Sequence, residues 1–400
     1  MRLLCVHQNF PGQFRDLAPA LADRGHELKA ISSSQRESDP RIGVSRYSQP
    51  KPERSGLHRL GAEVDDWLRR SELVGQAAEQ LRQQNWAPDV MLAHPGWGES
   101  LLLREVFPST PLVLWPELWL KPEHMGLQPA QMGLEQQHYL QVKNGLLDMA
   151  LAQAQAAVVP TGYQASCFPQ RWQGLLKLIH EGVGDHFFAM PRLASLDLGQ
   201  GVCLDAEVPV VTFISRNLEP MRGFPLMMRA LPQLQQRNPA VHVVVVGGDE
   251  VSYSAAPEPG TTWKQVLLDE LGDQLDHSRI HWFGRMPHDE LIKLYRRSNL
   301  HLYLSGAFVL SWSLTEILAC GTPVLATDNP MARELIQPGV NGAVYQGGPQ
   351  GLGDAIAQLV ADRAQLERWG AKARQLLAPY RQSLCVGELE SLFHQVANHY

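Results

Sequence analysis

The chain is expected to be an α/β protein built from two doubly wound domains, and three observations predict it. Strand-like and helix-like segments alternate along it, the alternation fades between Phe188 and Pro209, and it then restarts. The 400 residues exceed what one ordinary core organises, so two domains of roughly 150–200 residues are the natural division. The alternation itself, with strands such as "VPVVTFISR" and "VHVVVVGGDE" between helices, implies a mostly parallel sheet covered on both faces.

In the first half, "RLLCVHQ" is a strand, and "FRDLAPALADRG" follows with helical spacing and a stop at Gly25. "HELKAISS" is the second strand, and residues 63–85 form a long amphipathic helix. The strand of "DVMLAHPGWGE", the strand "PLVLWPELW", a helix over 130–155 and the strands of "AQAAVVPT" and "LLKLIHEGV" complete it. Mixed Gly, Pro and polar residues over 188–208 suggest a linker. The second half gives the strands "VPVVTFISR", "VHVVVVGGDE", "RIHWFGR", "LHLYLS" and "TPVLATD" with helices among them, then a helical tail from Leu352. "SYSAAPEPGTT" (252–262) is the clearest surface loop. The expected domains are therefore 1–187 and 209–380 around the linker 188–208, with the segment 381–400 as a terminal helix. Ligand sites are expected beyond the carboxyl ends of the strands, in the cleft where two such domains face each other.

Composition narrows the function. Hydrophobic residues at 44% and charged residues at 19% fit a soluble globular enzyme. A net charge of −6 supplies no broad cationic field, so nucleic acid is not an expected partner. Five scattered cysteines without a C-x-x-C suggest reduced thiols, a cytoplasmic setting and no zinc site. The apolar run from Leu3 to Val6 is too short for a signal peptide, and no run approaches the roughly 20 residues of a membrane span. Membrane association is expected to be peripheral at most.

Four loops that follow strands carry the candidate chemistry. "NFPGQFR" (9–15) places Pro11 and Gly12 in a tight turn before a helix N-terminus, either a plain turn or a place for an anion or a sugar hydroxyl. "HPGWGE" (94–99) offers His94 among glycines that could admit a ligand to the backbone; alone, His94 is more often a satisfied interior histidine than a ligand contact. Glu117 nearby reads as a turn acid. "SRNLEPMRGF" (215–224) brackets a turn with Arg216 and Arg222, a pair suited to a diphosphate; the alternative pairs Arg216 with Glu219 and leaves Arg222 solvated. "GAFVLSWSLTEILACGTPVLATDNP" (306–330) holds the lone acid Glu316, which with Ser313 fits a capping box and could also hold a ligand. Glycines at 247–248 and "GRMP" (284–287) add backbone edges at two more strand ends.

These segments resemble retaining glycosyltransferases of the GT-B fold and family-4 type. The resemblance runs from "NFPGQFRDLAPALADRGHE", "HPGWGESLLLREVFP" and "HEGVGDHFF" to "SRNLEPMRGF", "VVVVGGDE", "FGRMPHDELIKLYRRSNLHLYLS" and "LTEILACGTPVLATDNPMARELIQPGVNG". It implies transfer of a sugar, with retention, from a nucleotide-sugar donor to a saccharide, lipid-linked or other hydroxyl-bearing acceptor, in polysaccharide, glycolipid or other glycoconjugate assembly. It places Arg216 and Arg222 on the donor diphosphate, Glu316 on the ribose, and Arg285 and Met286 at the nucleobase. His94, Gly12 and Gln13 fall near the sugar and phosphate, Gly248 at a donor-side strand end, and the 381–400 helix returns to the first domain.

One position departs from the pattern. The first acid of the family's E-x7-E falls at Phe308, so the amides of Val309, Leu310 and Ser311 are the expected substitute in donor recognition. No base or nucleophile stands out, which fits front-face substitution, in which the departing phosphate helps deprotonate the acceptor. No Asp-x-Asp is present, so no metal or other cofactor is expected. A sugar-nucleotide epimerase, a phosphorylase or a non-catalytic nucleotide-sugar-binding protein are the alternatives; a phosphorylase would need a cofactor lysine, for which no residue offers itself.

Overall fold

The computed structural model describes residues 1–48, 55–199 and 201–399. The chain divides into two compact units. The first comprises Met1–Glu123, Leu127–Gly182 and Tyr380–Tyr400, and the second His124–Gly126 and Val183–Pro379.

The first unit holds seven strands: β1 (Arg2–Val6), β2 (Glu27–Ser32), β3 (Gly43–Arg46), β4 (Val90–Ala93), β5 (Leu112–Leu114), β6 (Ala156–Val159) and β7 (Leu176–Leu178). Their order is β3-β2-β1-β4-β5-β6-β7, and every pairing is parallel. Successive side chains of a strand point to opposite faces, so each strand feeds two cores. Leu3, Cys5, Leu92 and Val113 enter one, with the helix Leu17–Asp23. Leu4, Val6, Met91 and Leu112 enter the other, under the helices Arg59–Gln83 and Leu134–Leu151. This double covering explains the unbroken apolar runs. The terminal helix Gln382–Asn398 buries Val386, Leu389, Phe393 and Val396 in the first of these cores. Glu390 on its outer side meets Arg24 at 2.6 Å and His26 at 2.8 Å.

The stretch 188–208, expected as a linker, is folded into the second unit. Two short strands, β8 (Leu196–Asp197) and β9 (Cys203–Leu204), pair antiparallel there. Leu196 and Leu204 pack against Val210, Val244 and Leu294. Two residues per strand are too few for an alternation to show in the sequence, so only the polar flanks were visible.

Six strands make the second sheet: β10 (Val210–Asn217), β11 (His242–Gly248), β12 (Ile280–Phe283), β13 (Leu300–Tyr303), β14 (Val324–Thr327) and β15 (Gly342–Tyr345). The order is β12-β11-β10-β13-β14-β15, again parallel throughout. Val211, Phe213, Val243, Leu300 and Leu302 meet the helices Phe224–Arg237 and Pro349–Ala361 in its main core. The expected helical tail consists of three helices, Pro349–Ala361, Arg363–Leu376 and Gln382–Asn398.

Both sheets are Rossmann-like. The chain starts in the middle, works outward to one side, then returns to the middle and works outward to the other. The reversal falls at β1/β4 in the first sheet and at β10/β13 in the second. At such a point the loops leave adjacent strands in opposite directions and open a crevice beyond the strand ends. The loops concerned follow Val6, Ala93, Asn217 and Tyr303. They are the four loops singled out above.

Candidate functional site

In the first unit the reversal point is lined by histidines. His94, directly after β4, is 2% exposed. Its Nδ1 accepts the Gly96 amide at 3.0 Å, which leaves Nε2 as the protonated nitrogen of the neutral ring. Burial, helped by His7, holds its pKa well below the usual histidine value. Nε2 is buried without a hydrogen-bond partner, 3.9 Å from the Glu117 carboxylate. The Trp97 ring stacks on His94, with centroids 4.4 Å apart. His7, directly after β1, repeats the arrangement: its Nδ1 accepts the Asn9 amide at 2.9 Å, and burial with Arg36 lowers its pKa to about 4. His180 does so again beyond β7, accepting from Gly182 at 2.8 Å, with its pKa lowered to about 4 by burial. Sequence reasoning missed His7 and His180. The shared signal is a histidine that ends a strand run two residues before a residue with a free amide.

The glycines beside these rings serve internal packing. A Cβ on Gly12 would lie 2.5 Å from His7 Cε1, and Gly12 also has φ +44°. One on Gly96 would meet His94 Cε1 at 2.3 Å, and one on Gly98 the Trp67 carbonyl oxygen at 2.4 Å. The ligand-access reading of the glycines in "HPGWGE" is therefore corrected: the rings and backbone of the protein already fill that space. Gln13 is half-buried, and its Oε1 has no partner.

Glu99 is a further residue that sequence reasoning passed over. It is fully buried, accepts the Gln8 amide at 3.1 Å, and has its pKa pushed up to about 7 by burial. Arg70, from the helix Arg59–Gln83, donates to the Trp97 carbonyl at 2.5 Å. Together they fix the Trp97 loop, and hence the ring that stacks on His94, against the loop after β1.

The second unit presents cations at the equivalent point. Arg216 lies near the end of β10 and is exposed; Arg222 is half-buried at the end of the turn Pro220–Arg222. Arg222 Nε is buried with no hydrogen-bond partner, and its guanidinium lies 5.0 Å from the Tyr253 ring. The alternative pairing of Arg216 with Glu219 is not formed. Glu219 is fully buried, and its Oε2 accepts the amides of Ser252, Tyr253 and Ser254 at 3.0, 2.9 and 2.9 Å. Among the described residues neither Arg216 nor Arg222 enters an ion pair. Gly223, with φ +78°, begins the following helix and packs on Leu304 at the end of the neighbouring strand.

Beyond β13, Gly306 donates its amide to the Met221 carbonyl at 3.1 Å, tying the two reversal loops together. Among the described residues, the amides of Val309 and Leu310 donate to no backbone carbonyl, whereas the Ser311 amide is directed at the buried Tyr303 hydroxyl. Ser311 caps the helix Trp312–Ala319 by position only, without a side-chain bond. Phe308 lies 5.1 Å from the Tyr253 ring.

Glu316 sits in the second turn of that helix, 7% exposed, so the capping-box reading fails. Ser313 is already the second helical residue, and Glu316 lies too deep in the helix to reach back to the cap. Its two carboxylate oxygens stand 3.1 and 3.0 Å from His288 Nε2. At the other strand ends, Gly248 faces Asn217 Oδ1, and a Cβ there would lie 2.7 Å from it. Arg285, exposed, is paired with Glu250. Met286 packs beside the hydrophobic group of Val244, Val246 and Leu294. Arg222, Arg285 and the 309–311 backbone lie in loops at the carboxyl ends of one sheet, with Gly248 the last residue of β11 and Glu316 in the helix that follows the loop after β13.

Comparison with known proteins accounts for both halves. Residues 24–188 match the glycosyl transferase family 4 group, and residues 204–376 match glycosyl transferases group 1. D-inositol 3-phosphate glycosyltransferase of Nocardia farcinica is 30% identical over 169 residues, which is 41% of this chain and 36% of that protein. The enzyme of the same name from Mycolicibacterium smegmatis is 26% identical over 224 residues, 52% of this chain and 48% of the relative. These matches thus span half or less of the relatives' own length. Among solved structures, sucrose-phosphate synthase of Thermosynechococcus elongatus superposes with a TM-score of 0.74 at 15% identity, covering 100% of both chains. Anabaena HepE, solved in complex with UDP and glucose, superposes at 0.66 and 19% identity, covering 99% of each. On these matches the chain has the GT-B fold and carries glycosyl transferase domains of the family 4 group and group 1 types.

Proposed function

We propose that this protein is a retaining glycosyltransferase that moves a sugar from a nucleoside-diphosphate donor to an acceptor hydroxyl. The observation that carries the reading is Arg222: a half-buried guanidinium with an unsatisfied Nε, on a reversal loop tied through Met221 and Gly306 to the loop that carries the open amides of Val309 and Leu310. Buried polar atoms normally have partners, so such a group calls for an anion. A diphosphate supplies the charge and the oxygens, and guanidinium and amide donors suit both. Glu316 offers the acceptor that a ribose diol needs, sharing its carboxylate with His288.

Charge develops on the leaving diphosphate as the bond from sugar C1 to the phosphate oxygen breaks. Arg222 and the amides stabilise that charge. The acceptor oxygen bonds to C1 on the same face and its proton passes to the departing phosphate oxygen, so no protein base is required. In the first unit His94, kept neutral, presents an Nε2 N–H donor suited to a hydroxyl. The acceptor is a saccharide, a lipid-linked sugar or another hydroxyl compound, and the reaction runs without a metal or other cofactor. Similarity to inositol-phosphate glycosyltransferases and to a structure with UDP and glucose supports the donor class.

Calorimetric titration with UDP, GDP and ADP, followed by their sugar esters, tests this. At least one nucleoside diphosphate binds, and Arg222→Ala weakens it about 10–100-fold, the equivalent of a hydrogen bond to a charged group. Arg216→Ala has a smaller effect, because its side chain is exposed. Absence of binding, or an Arg222→Ala variant that binds like the parent, overturns the reading. NMR of the product formed with an acceptor then reports whether the anomeric configuration is kept.

A further inference from the structure

The loop after β11 is held more tightly than its sequence requires. "VSYSAAPEPG" is polar, proline-rich and largely exposed, a composition that ordinarily leaves a loop loose. Yet three consecutive amides, those of Ser252, Tyr253 and Ser254, converge on one oxygen of Glu219. Consecutive amides of this kind form an anion-binding nest, and here the protein fills the nest from within. Two side-chain bonds reinforce it: Asn217 Nδ2 donates to Ser252 Oγ at 2.7 Å, and the Met221 amide donates to Ser254 Oγ at 2.9 Å. Burying the Glu219 carboxylate completely is costly, since its Oε1 has no partner at all.

What this anchoring fixes is the ring of Tyr253. The side chain is 42% exposed, an unusual state for an aromatic on a loop pinned at both flanks. One neighbour is the Arg222 guanidinium at 5.0 Å, and another is Phe308 at 5.1 Å, the residue directly before Val309. An exposed ring rigidly placed beside a diphosphate-binding cation is suited to the apolar C–H face of the group attached to that diphosphate.

We propose that Tyr253 is a donor-specificity residue on which the transferred sugar ring rests, and that Glu219 is the positioning residue that holds it there. This rests on the donor reading above. Two rings flank a nucleotide-sugar diphosphate, the transferred sugar and the ribose, and the proposal commits to the sugar.

Titrations with UDP, GDP and ADP, each against its glucose ester, separate the two. Tyr253→Leu lowers affinity for the sugar ester by about 3–10-fold, the scale of one aromatic contact, and leaves the diphosphate within a factor of two. Tyr253→Phe keeps the ring and restores parent affinity for both. Glu219→Gln reproduces the selective loss of Tyr253→Leu, because an amide cannot hold three N–H donors as a carboxylate does. Equal losses for diphosphate and ester assign the ring to the ribose or to Arg222 and overturn the proposal, as do unchanged affinities. A Glu219→Gln variant that melts like the parent and binds like it overturns the positioning role. If that variant does not fold, Tyr253→Leu alone decides. A parent protein that binds no diphosphate overturns the donor reading and this proposal together, whereas parent binding with unselective variants overturns the proposal alone.

Discussion

The two domains share one strand order over six strands and place their loops at the same reversal point, yet they fill it with opposite chemistry. The first domain gathers His7 and His94 there, buried, neutral and held to a single tautomer by a backbone amide. The second gathers Arg216 and Arg222, one exposed and one half-buried, both permanently charged. The contrast follows from what each can recognise. Neutral N–H donors in a desolvated wall fit hydroxyls; guanidinium groups near open amides fit phosphate. Topology therefore fixes where chemistry can occur, and the side chains on each sheet decide which.

The largest expected effect tests the histidine side by pH. His7 and His180 titrate near 4 when folded and near 6.5 when unfolded, and burial likewise holds His94 well below its ordinary value. Between those values the unfolded chain binds protons that the folded chain does not, so stability falls as the pH drops from 6.5 toward 4. Glu99 acts in the opposite sense over 4.5 to 7, because its raised pKa keeps the proton in the folded state. Three histidines outweigh one carboxyl. His301, buried within β13 with a pKa near 3, adds to the same trend in the second domain. Each fully buried histidine near 4 is worth about 3 kcal/mol across the window. Urea unfolding at pH 7.5, 6.5, 5.5 and 4.5 shows the fall. His180→Gln flattens it by as much as about 1.4 kcal/mol per pH unit. An unchanged slope in that variant means the ring is not held neutral.

This comparison also shows how far the sequence could be read. Central strands were legible because both faces are covered and their residues form apolar runs. The edge strands β3 and β15 were not, since Gly43–Arg46 and Gly342–Tyr345 are largely half-buried or exposed and carry no such run. The four reversal loops stood out through their glycine, histidine and arginine content. The partners of those residues did not. That Glu219 serves three amides thirty-odd residues away, or that Glu316 meets His288, is tertiary information with no local period or spacing to betray it.

A second test sharpens the comparison through a feature common to both domains. The first reversal loop of each domain contains a glycine in the left-handed region, Gly12 in one and Gly223 in the other. Alanine at either adds roughly 1–3 kcal/mol of backbone strain. The neighbours differ: at Gly12 the new Cβ presses on the His7 ring edge, at Gly223 on the Leu304 Cβ and carbonyl oxygen, both at 2.4 Å. A ring can tilt aside, whereas a strand-end carbonyl cannot. Gly223→Ala is therefore expected to cost about 2–5 kcal/mol, as strain and overpacking combine, and Gly12→Ala less. Calorimetric melting ranks them; an equal or reversed order would mean that the second-domain loop yields as readily as the first.

The smallest expected effect lies in the 306–330 stretch, where two readings of one motif differ by a measurable amount. Were Ser313 a cap with Glu316 reaching back to it, Ser313→Ala would cost about 0.5–2 kcal/mol. In the structure the helix begins one residue earlier, at Trp312, with Ser311 in the cap position and making no side-chain cap bond. Ser313 Oγ lies 2.7 Å from Ser311 Oγ, and that single hydroxyl contact is half-exposed and replaceable by water. Ser313→Ala should thus stay within about 0.5 kcal/mol of the parent, the range of a surface substitution. Glu316 owes its position to burial and to His288 rather than to any cap. Denaturant midpoints at neutral pH measure the difference. A loss above 1 kcal/mol would restore the cap reading and loosen the assignment of the Glu316 carboxylate to its place beside His288.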